Sequence, residues 1–285
     1  MATPKIKYNF TVKSFRPTRK KFISAPDGDT INIQQPIRMV SCDTPEKAGY
    51  AGLPPKSQPK LDLCRQRLQN GFYDAVPLGL RKYLIQKLTS TAAKNHINAG
   101  NDASKEFEKI RDSRLKKPDG SFFPVAVIPS GEVIDTYGRM LAYITRFFEK
   151  KQLPPIGDPT RNTFNLDMVA NGWAVFFPLY PSFPTKEVDF NLILKAAETA
   201  WKQKKGMWKK YGTNILLAYE YRMCIKLGTA KNAKDGVKKA FERVCVDLRN
   251  MKKVGKFDFH IIPPCYRLWI WETDIKQADK DLKLK

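Results

Sequence analysis

The run Ile37-Arg38-Met39-Val40-Ser41-Cys42-Asp43-Thr44-Pro45-Glu46 restricts the fold more than any other stretch of the chain. It starts like a strand. Pro45 has no amide to donate to a ladder, so the strand ends there in a turn. Arg38 and Asp43 have opposite parity, so an unbroken strand would point them to opposite faces. For both to serve one site, the backbone between them has to bend or bulge. Two further turns carry similar chemistry: Asp27-Gly28-Asp29-Thr30 just upstream, and Asp135-Thr136-Tyr137-Gly138-Arg139 far downstream. Carboxylates from separate turns, with two separated arginines, suit holding a divalent cation against a phosphodiester while it is cleaved.

The charge balance names the class of partner. Lys and Arg number 51 against 28 acids, a formal charge of +23 in 285 residues. Such an excess implies a polyanion. The basic residues are spread along the chain without an apolar amphipathic face, which puts nucleic acid ahead of a membrane surface. No run approaches the length of a membrane-spanning helix. The start of the chain lacks the apolar core and cleavage site of a secretory signal. Cys42, Cys64, Cys224, Cys245 and Cys265 include no Cys-x-x-Cys pair, and their odd number argues against a disulfide framework. Both features favour an intracellular setting, although a secreted mature chain stripped of its signal would look the same. The two histidines, His96 and His260, are far apart in sequence, which argues against histidine-dependent chemistry.

Along the chain, Tyr8 to Val12, Lys20 to Ala25, Thr30 to Gln34 and Ile37 to Cys42 read as short strands of a small barrel or sandwich. Lys47 to Asp74 reads as an irregular excursion broken by glycines and prolines, with two helical turns over Leu61 to Leu68. A helix is expected over Pro77 to Thr91. The polar stretch Lys94 to Asp119 reads as a surface helix or loop. Phe122 to Pro129 and Arg139 to Phe148 read as a long-looped hairpin. Asn165 is expected to cap a short helix that Gly172 closes. Val188, Leu192, Ala196 and Ala200 mark a longer helix. Beyond Thr213, Val237 to Met251 looks helical and Phe257 to Trp271 looks like strand; no chemical constellation stands out there.

Taken together, Asp-Gly-Asp-Thr, then Arg-(four residues)-Asp-Thr-Pro-Glu, then Tyr-Gly-Arg opening a strand resemble the staphylococcal nuclease (thermonuclease-like) family. Asn171-Gly172-Trp173-Ala174 extends the resemblance, which spans roughly residues 20 to 210. It implies an α+β fold built on a five-stranded OB-type β-barrel with packed helices. It also implies a calcium-dependent phosphodiesterase that cuts DNA or RNA with low sequence specificity. Carried over, Asp29, Asp43 and the Thr44 carbonyl resemble the calcium ligands. Glu46 resembles the carboxylate that activates or positions water, and Arg38 and Arg139 the pair that binds phosphate. Tyr137 and Tyr180 fall where the family has nucleotide-contacting tyrosines; a packed aromatic is an equal reading of Tyr180. The family often has lysine where Thr136 stands.

The expected organisation is an N-terminal strand or arm over 1–19, a thermonuclease-like domain over 20–212 with inserts near 47–74 and 90–119, and a C-terminal extension over 213–285. The alternative to an enzyme is a non-catalytic nucleic-acid-binding module on the same fold. OB barrels bind single strands without cutting them. Such a module has no need of both acids, Glu46 and both arginines, and all five are present.

Overall fold

The computed structural model describes residues 19–155, 157–184 and 186–284. The strand expected over Tyr8 to Val12, and all but the last residue of the arm expected over 1–19, lie outside the described residues. β1 (Lys21–Ser24) and β2 (Asn32–Gln34) form an exposed antiparallel hairpin. β3 (Ile37–Met39) runs parallel to β6 (Met140–Arg146), and β6 pairs antiparallel with β5 (Val125–Ile134), the hairpin expected there. β4 (Ser41–Asp43) leaves that sheet and pairs antiparallel with β7 (Val175–Phe177).

The bend that the parity of Arg38 and Asp43 demands is therefore present between β3 and β4. Ser41 sits there in the left-handed region, with φ of 56°. That conformation costs a residue with a Cβ about 1–2 kcal/mol. Surrounding hydrogen bonds hold it. Ser41 Oγ and Tyr143 Oη lie 2.7 Å apart in the interior. The Asn165 amide donates to the Val40 carbonyl at 2.8 Å and its oxygen accepts from the Ile144 amide at 3.1 Å. Asn165 thus ties the bend to β6 and is buried; the cap of α4 (Phe164–Ala170) is Thr163, not Asn165 as expected. The chain is α+β. Among the described residues the strands make two pairs and two three-stranded sheets, without ladder closure of a five-stranded barrel. The ladder breaks where Ser41 hands the chain from β6 to β7, and no ladder joins the β1–β2 hairpin to either sheet.

Of three expectations about the helices, two need correction, and the stretch read as a surface helix or loop is the helix, with one face buried. The stretch expected to be irregular is largely α1 (Pro54–Gln69). Pro54 and Pro55 occupy its first turn, where no amide bond is lost, and Pro59 costs one interior bond. Leu61, Cys64 and Leu68, buried at helical spacing, hold the rest. After α2 (Leu78–Lys87), the charged stretch becomes α3 (Ala92–Leu115), 24 residues long. Its inner face is lined by small residues, among them Ala93, Ala99, Gly100 and Ala103, so hydrophobic periodicity is faint. Third, the helix expected over Val237 to Met251 is the end of one helix followed by a strand.

α5 (Glu187–Lys202) and α6 (Met207–Tyr211) lead into α7 (Ala218–Thr229) and α8 (Ala233–Ala240). Then β8 (Arg243–Asp247) pairs with β9 (Lys252–Val254) and β10 (Arg267–Trp271), before α9 (Ile275–Leu282). This last part shares a core with what precedes it: Phe177 and Trp208 pack in one cluster with Tyr221, Cys224, Leu227 and Trp269. The Trp269 amide also donates to Pro178 O, and Tyr180 N to Trp269 O, both at 2.9 Å. α7 crosses α1 so closely that a Cβ on Gly228 would lie 1.9 Å from the Lys60 carbonyl oxygen. Arg67 on α1 caps α7, donating to the carbonyls of Leu227, Gly228 and Ala230 at 2.9 to 3.0 Å. All five cysteines are free and buried.

Candidate active site

The last residue of β4 is the centre of the site. The side chain of Asp43 is fully buried, and two guanidinium groups close on it. Arg38 Nη2 reaches Oδ1 at 2.7 Å and Arg222 Nη2 reaches Oδ2 at 2.6 Å. Arg222 also donates through Nη1 to Glu46 Oε1 at 2.6 Å, so one planar fork bridges both carboxylates. Burial pushes the Asp43 carboxyl up, but Arg222 and Arg38 more than offset it and the net displacement is downward. Burial acts against the charge of Arg222 too, and Asp43 and Glu46 overcome it. Glu46 keeps 27% of its side chain exposed and so faces solvent. Thr44, between the two acids, is half-buried.

The Glu46 loop lies directly on α3. A Cβ at Gly100 would stand 2.6 Å from the Glu46 carbonyl oxygen and 2.7 Å from that of Pro45, so only glycine allows this approach. Next to it His96, fully buried, accepts from the Glu46 amide through Nε2 at 2.8 Å, which leaves the proton on Nδ1 to be donated to Leu216 O at 2.9 Å. Its ring stacks on Tyr221 at 3.9 Å between centroids. The imidazole is thus a neutral spacer with both nitrogens used.

Burial drives the His96 pKa down to about 3. An unfolded histidine titrates near 6.5, so between these values the unfolded chain binds the extra proton and stability rises with pH. The contribution is complete above pH 6.5 and is expected to fall by about 1.4 kcal/mol per pH unit as the pH drops below that. Urea unfolding between pH 7 and pH 5 checks this. A flat stability over that range, or one unchanged in slope by His96→Gln, would rule out a buried neutral histidine.

The Tyr137–Arg139 turn forms the exposed rim. Asp135 accepts from the amides of Tyr137 and Arg139, both at 2.9 Å, and binds the Arg139 guanidinium at 2.7 Å. Gln35 donates to Gly138 O at 2.9 Å, and Lys20 donates to the same oxygen. The Arg139 guanidinium lies 5.2 Å from the centroid of Tyr137, which is the most open large ring among the described residues at 78% exposure. Tyr50 stands between this rim and the acids: burial raises its pKa, with Arg222 opposing and Glu46 and Tyr137 adding to the rise. Tyr137 is therefore open to solvent. Tyr180 is not. It is buried among Val246, Leu268 and Ile270 and donates its hydroxyl to Asp281, which makes it a packed aromatic.

The expected ligand set is only partly assembled. Asp43 and Thr44 are adjacent, but Asp29 lies on the exposed turn between β1 and β2. Among the described residues, no three His, Cys, Asp or Glu side chains come together to hold a metal ion. Two contributors fall outside the sequence reading, His96 and Arg222. A signal for Arg222 exists: Glu220 and Arg222 are charges set inside the apolar run from Ile215 to Ile225, where burial requires partners.

The α+β core thus brings Asp43 and Glu46 under Arg38 and Arg222, with Tyr50 within electrostatic reach of Arg222, Glu46 and Tyr137. Residues 82–210 match the family model described as staphylococcal nuclease homologue. The match includes Tyr137, Arg139 and Tyr180; Asp29, Arg38, Asp43 and Glu46 precede it, and Arg222 follows it. No curated protein matches the chain. Among the described residues no helix is long and apolar enough to cross a membrane.

Proposed function

We propose that the chain hydrolyses phosphodiester bonds of DNA or RNA at this cleft, with low sequence specificity. The observation that carries the reading is the pairing of a half-open Glu46 with a buried Asp43 under guanidinium groups. Glu46 takes a proton from water, whose oxygen bonds to phosphorus while the ester P–O bond breaks; the departing oxygen is protonated by solvent. In this reading Arg38 and Arg139 share the charge of the five-coordinate phosphorus. Arg139 is held by Asp135 and 39% exposed, so phosphate takes Asp135's place as it binds.

Calcium is the ion that the family resemblance implies, with Asp29, Asp43 and the Thr44 carbonyl as its ligands. The donors in their present arrangement do not fit it: both Asp43 oxygens are engaged by arginine, and Asp29 stands apart on the exposed turn. The same closure of the acids favours a second reading, a nucleic-acid-binding module that does not cut. Incubating the full chain with supercoiled plasmid and with single-stranded RNA, each with calcium, with magnesium and with chelator, separates the two. Nicked or shortened products support hydrolysis; tight binding with every substrate intact under all conditions supports the module.

Either reading makes binding electrostatic. Affinity for a random single strand is expected to fall linearly with salt on logarithmic axes, by roughly tenfold between 50 and 200 mM for every two phosphates contacted. A fluorescence-anisotropy titration at several salt concentrations checks this, and a flat response contradicts it.

A further inference from the structure

We propose that Arg222 is the resident cation of the acidic cleft: its guanidinium, delivered by a helix outside the family-matched segment, takes the place between Asp43 and Glu46 that a divalent ion would have to occupy. The proposal rests on the nuclease reading for its catalytic part only. The assignment of the cation site stands on geometry alone.

Three observations carry it. First, the fork of Arg222 is engaged with both acids at once, at 2.6 Å to Asp43 Oδ2, 2.6 Å to Glu46 Oε1 and 3.4 Å to Asp43 Oδ1. A cation that binds Asp43 has to share each of its oxygens with an arginine, because Arg38 holds Oδ1 and Arg222 holds Oδ2. Second, the placement of Arg222 is set by the helix and not by the acids. On α7, Glu220 is locked by Lys87 and Arg267, Tyr221 stacks on His96, and Gly228 seats the helix against α1. Arg222 therefore projects from a rigid element, and its side chain has little room to leave. Third, the charge of the cleft is already balanced. Asp43 and Glu46 face Arg38 and Arg222, and Arg243 lies close enough for Arg222 to help burial hold its pKa down to about 10. Arg243 lies against the faces of Phe177 and Trp271, with Asp43 and Glu242 favouring its charge. Adding a divalent ion to this set would place two more positive charges among three guanidinium groups.

The consequence for function is specific. About a fifth of the Arg222 side chain, 22%, is exposed. A guanidinium has five donors, and those not directed at Asp43 and Glu46 remain for a phosphate oxygen. Arg222 thus serves as a phosphate contact beside Arg38, and Glu46 is oriented by it. Divalent ions are excluded and not required.

The test compares the full chain with Arg222→Gln and Arg222→Lys, the lysine variant retaining the buried charge. Thermal unfolding establishes that each variant is folded. Calcium is titrated by calorimetry, and terbium by luminescence sensitised by the neighbouring Tyr50. Arg222→Gln frees Glu46 Oε1 and Asp43 Oδ2, leaving Arg38 on Oδ1, and is expected to gain a saturable site at least about tenfold tighter than any in the parent. Asp43→Asn placed on Arg222→Gln should remove that gain, and Arg222→Lys should exclude the ion as the parent does. On a single-stranded DNA oligonucleotide, the parent should cleave equally in chelator and in calcium, while Arg222→Lys should lose about a hundredfold in rate for want of the planar fork. Equal calcium affinity in the parent and Arg222→Gln overturns the assignment, as does parent cleavage that stops in chelator. A parent that cuts nothing under any condition defeats the nuclease reading, and the difference in metal affinity still decides for or against Arg222 as the cation.

Discussion

Glu46→Gln is expected to slow hydrolysis by about a hundredfold or more while affinity for the oligonucleotide changes only a few-fold. Glutamine keeps the shape and an acceptor for Arg222, 2.6 Å away in the parent, but it cannot take the proton of the attacking water. The effect should therefore appear in kcat and not in KM. Arg139→Lys is the companion: it keeps the charge and loses the bidentate fork, and a comparable loss is expected. Single-turnover cleavage of a labelled oligonucleotide, alongside anisotropy binding, measures both. Near-normal turnover in the two variants would mean that the bond is cut elsewhere on the molecule.

The second large effect is on stability. Glu220 is fully buried, with its carboxylate 2.7 Å from Lys87 Nζ, 3.2 Å from Arg267 Nη1 and 2.6 Å from the Tyr83 hydroxyl, and it accepts from the Leu217 amide at 3.1 Å. Burial pushes its pKa up, and Lys87 and Arg267 pull it below the usual range. Glu220→Ala leaves two buried cations without their anion, and breaking such a group costs about 3–5 kcal/mol. Urea unfolding at pH 7 measures it, and a loss below about 1 kcal/mol would show that the network is dispensable. Because Arg222 is two residues further along the same helix, residual folded Glu220→Ala should also lose activity.

What could be read from the linear chain is the chemistry that lies in local motifs. Asp43 and Glu46 come after a strand that Pro45 ends, so they share one turn wherever that turn goes. Asp135 and Gly138 shape the turn that presents Tyr137 and Arg139. Parity required a bend between Arg38 and Asp43 only if both serve one site, and Ser41 supplies it with a φ of 56°. The helices that proved hard to read have an identifiable cause. α3 buries mainly small residues, which carry little hydrophobic signal, because the Glu46 loop and its neighbours must approach its backbone closely. α1 hides behind three prolines, two of them harmless in a first turn.

The sequence by itself determined which side chains are candidates for the chemistry: hydrogen-bonding and charge demands travel with residue type, and strand, turn and glycine signals act over a few positions. Tertiary structure alone decided what stands opposite them. Arg222 is 179 positions from Asp43 and His96 is 50 from Glu46, distances over which no local pattern is transmitted. They meet because α7 packs on α1 and α3, burying apolar surface far larger than the ion pairs it brings along. Once that helix is seated, Arg222 has two carboxylates within reach and Tyr180 has only core around it, although both lie in aromatic-rich stretches of similar appearance.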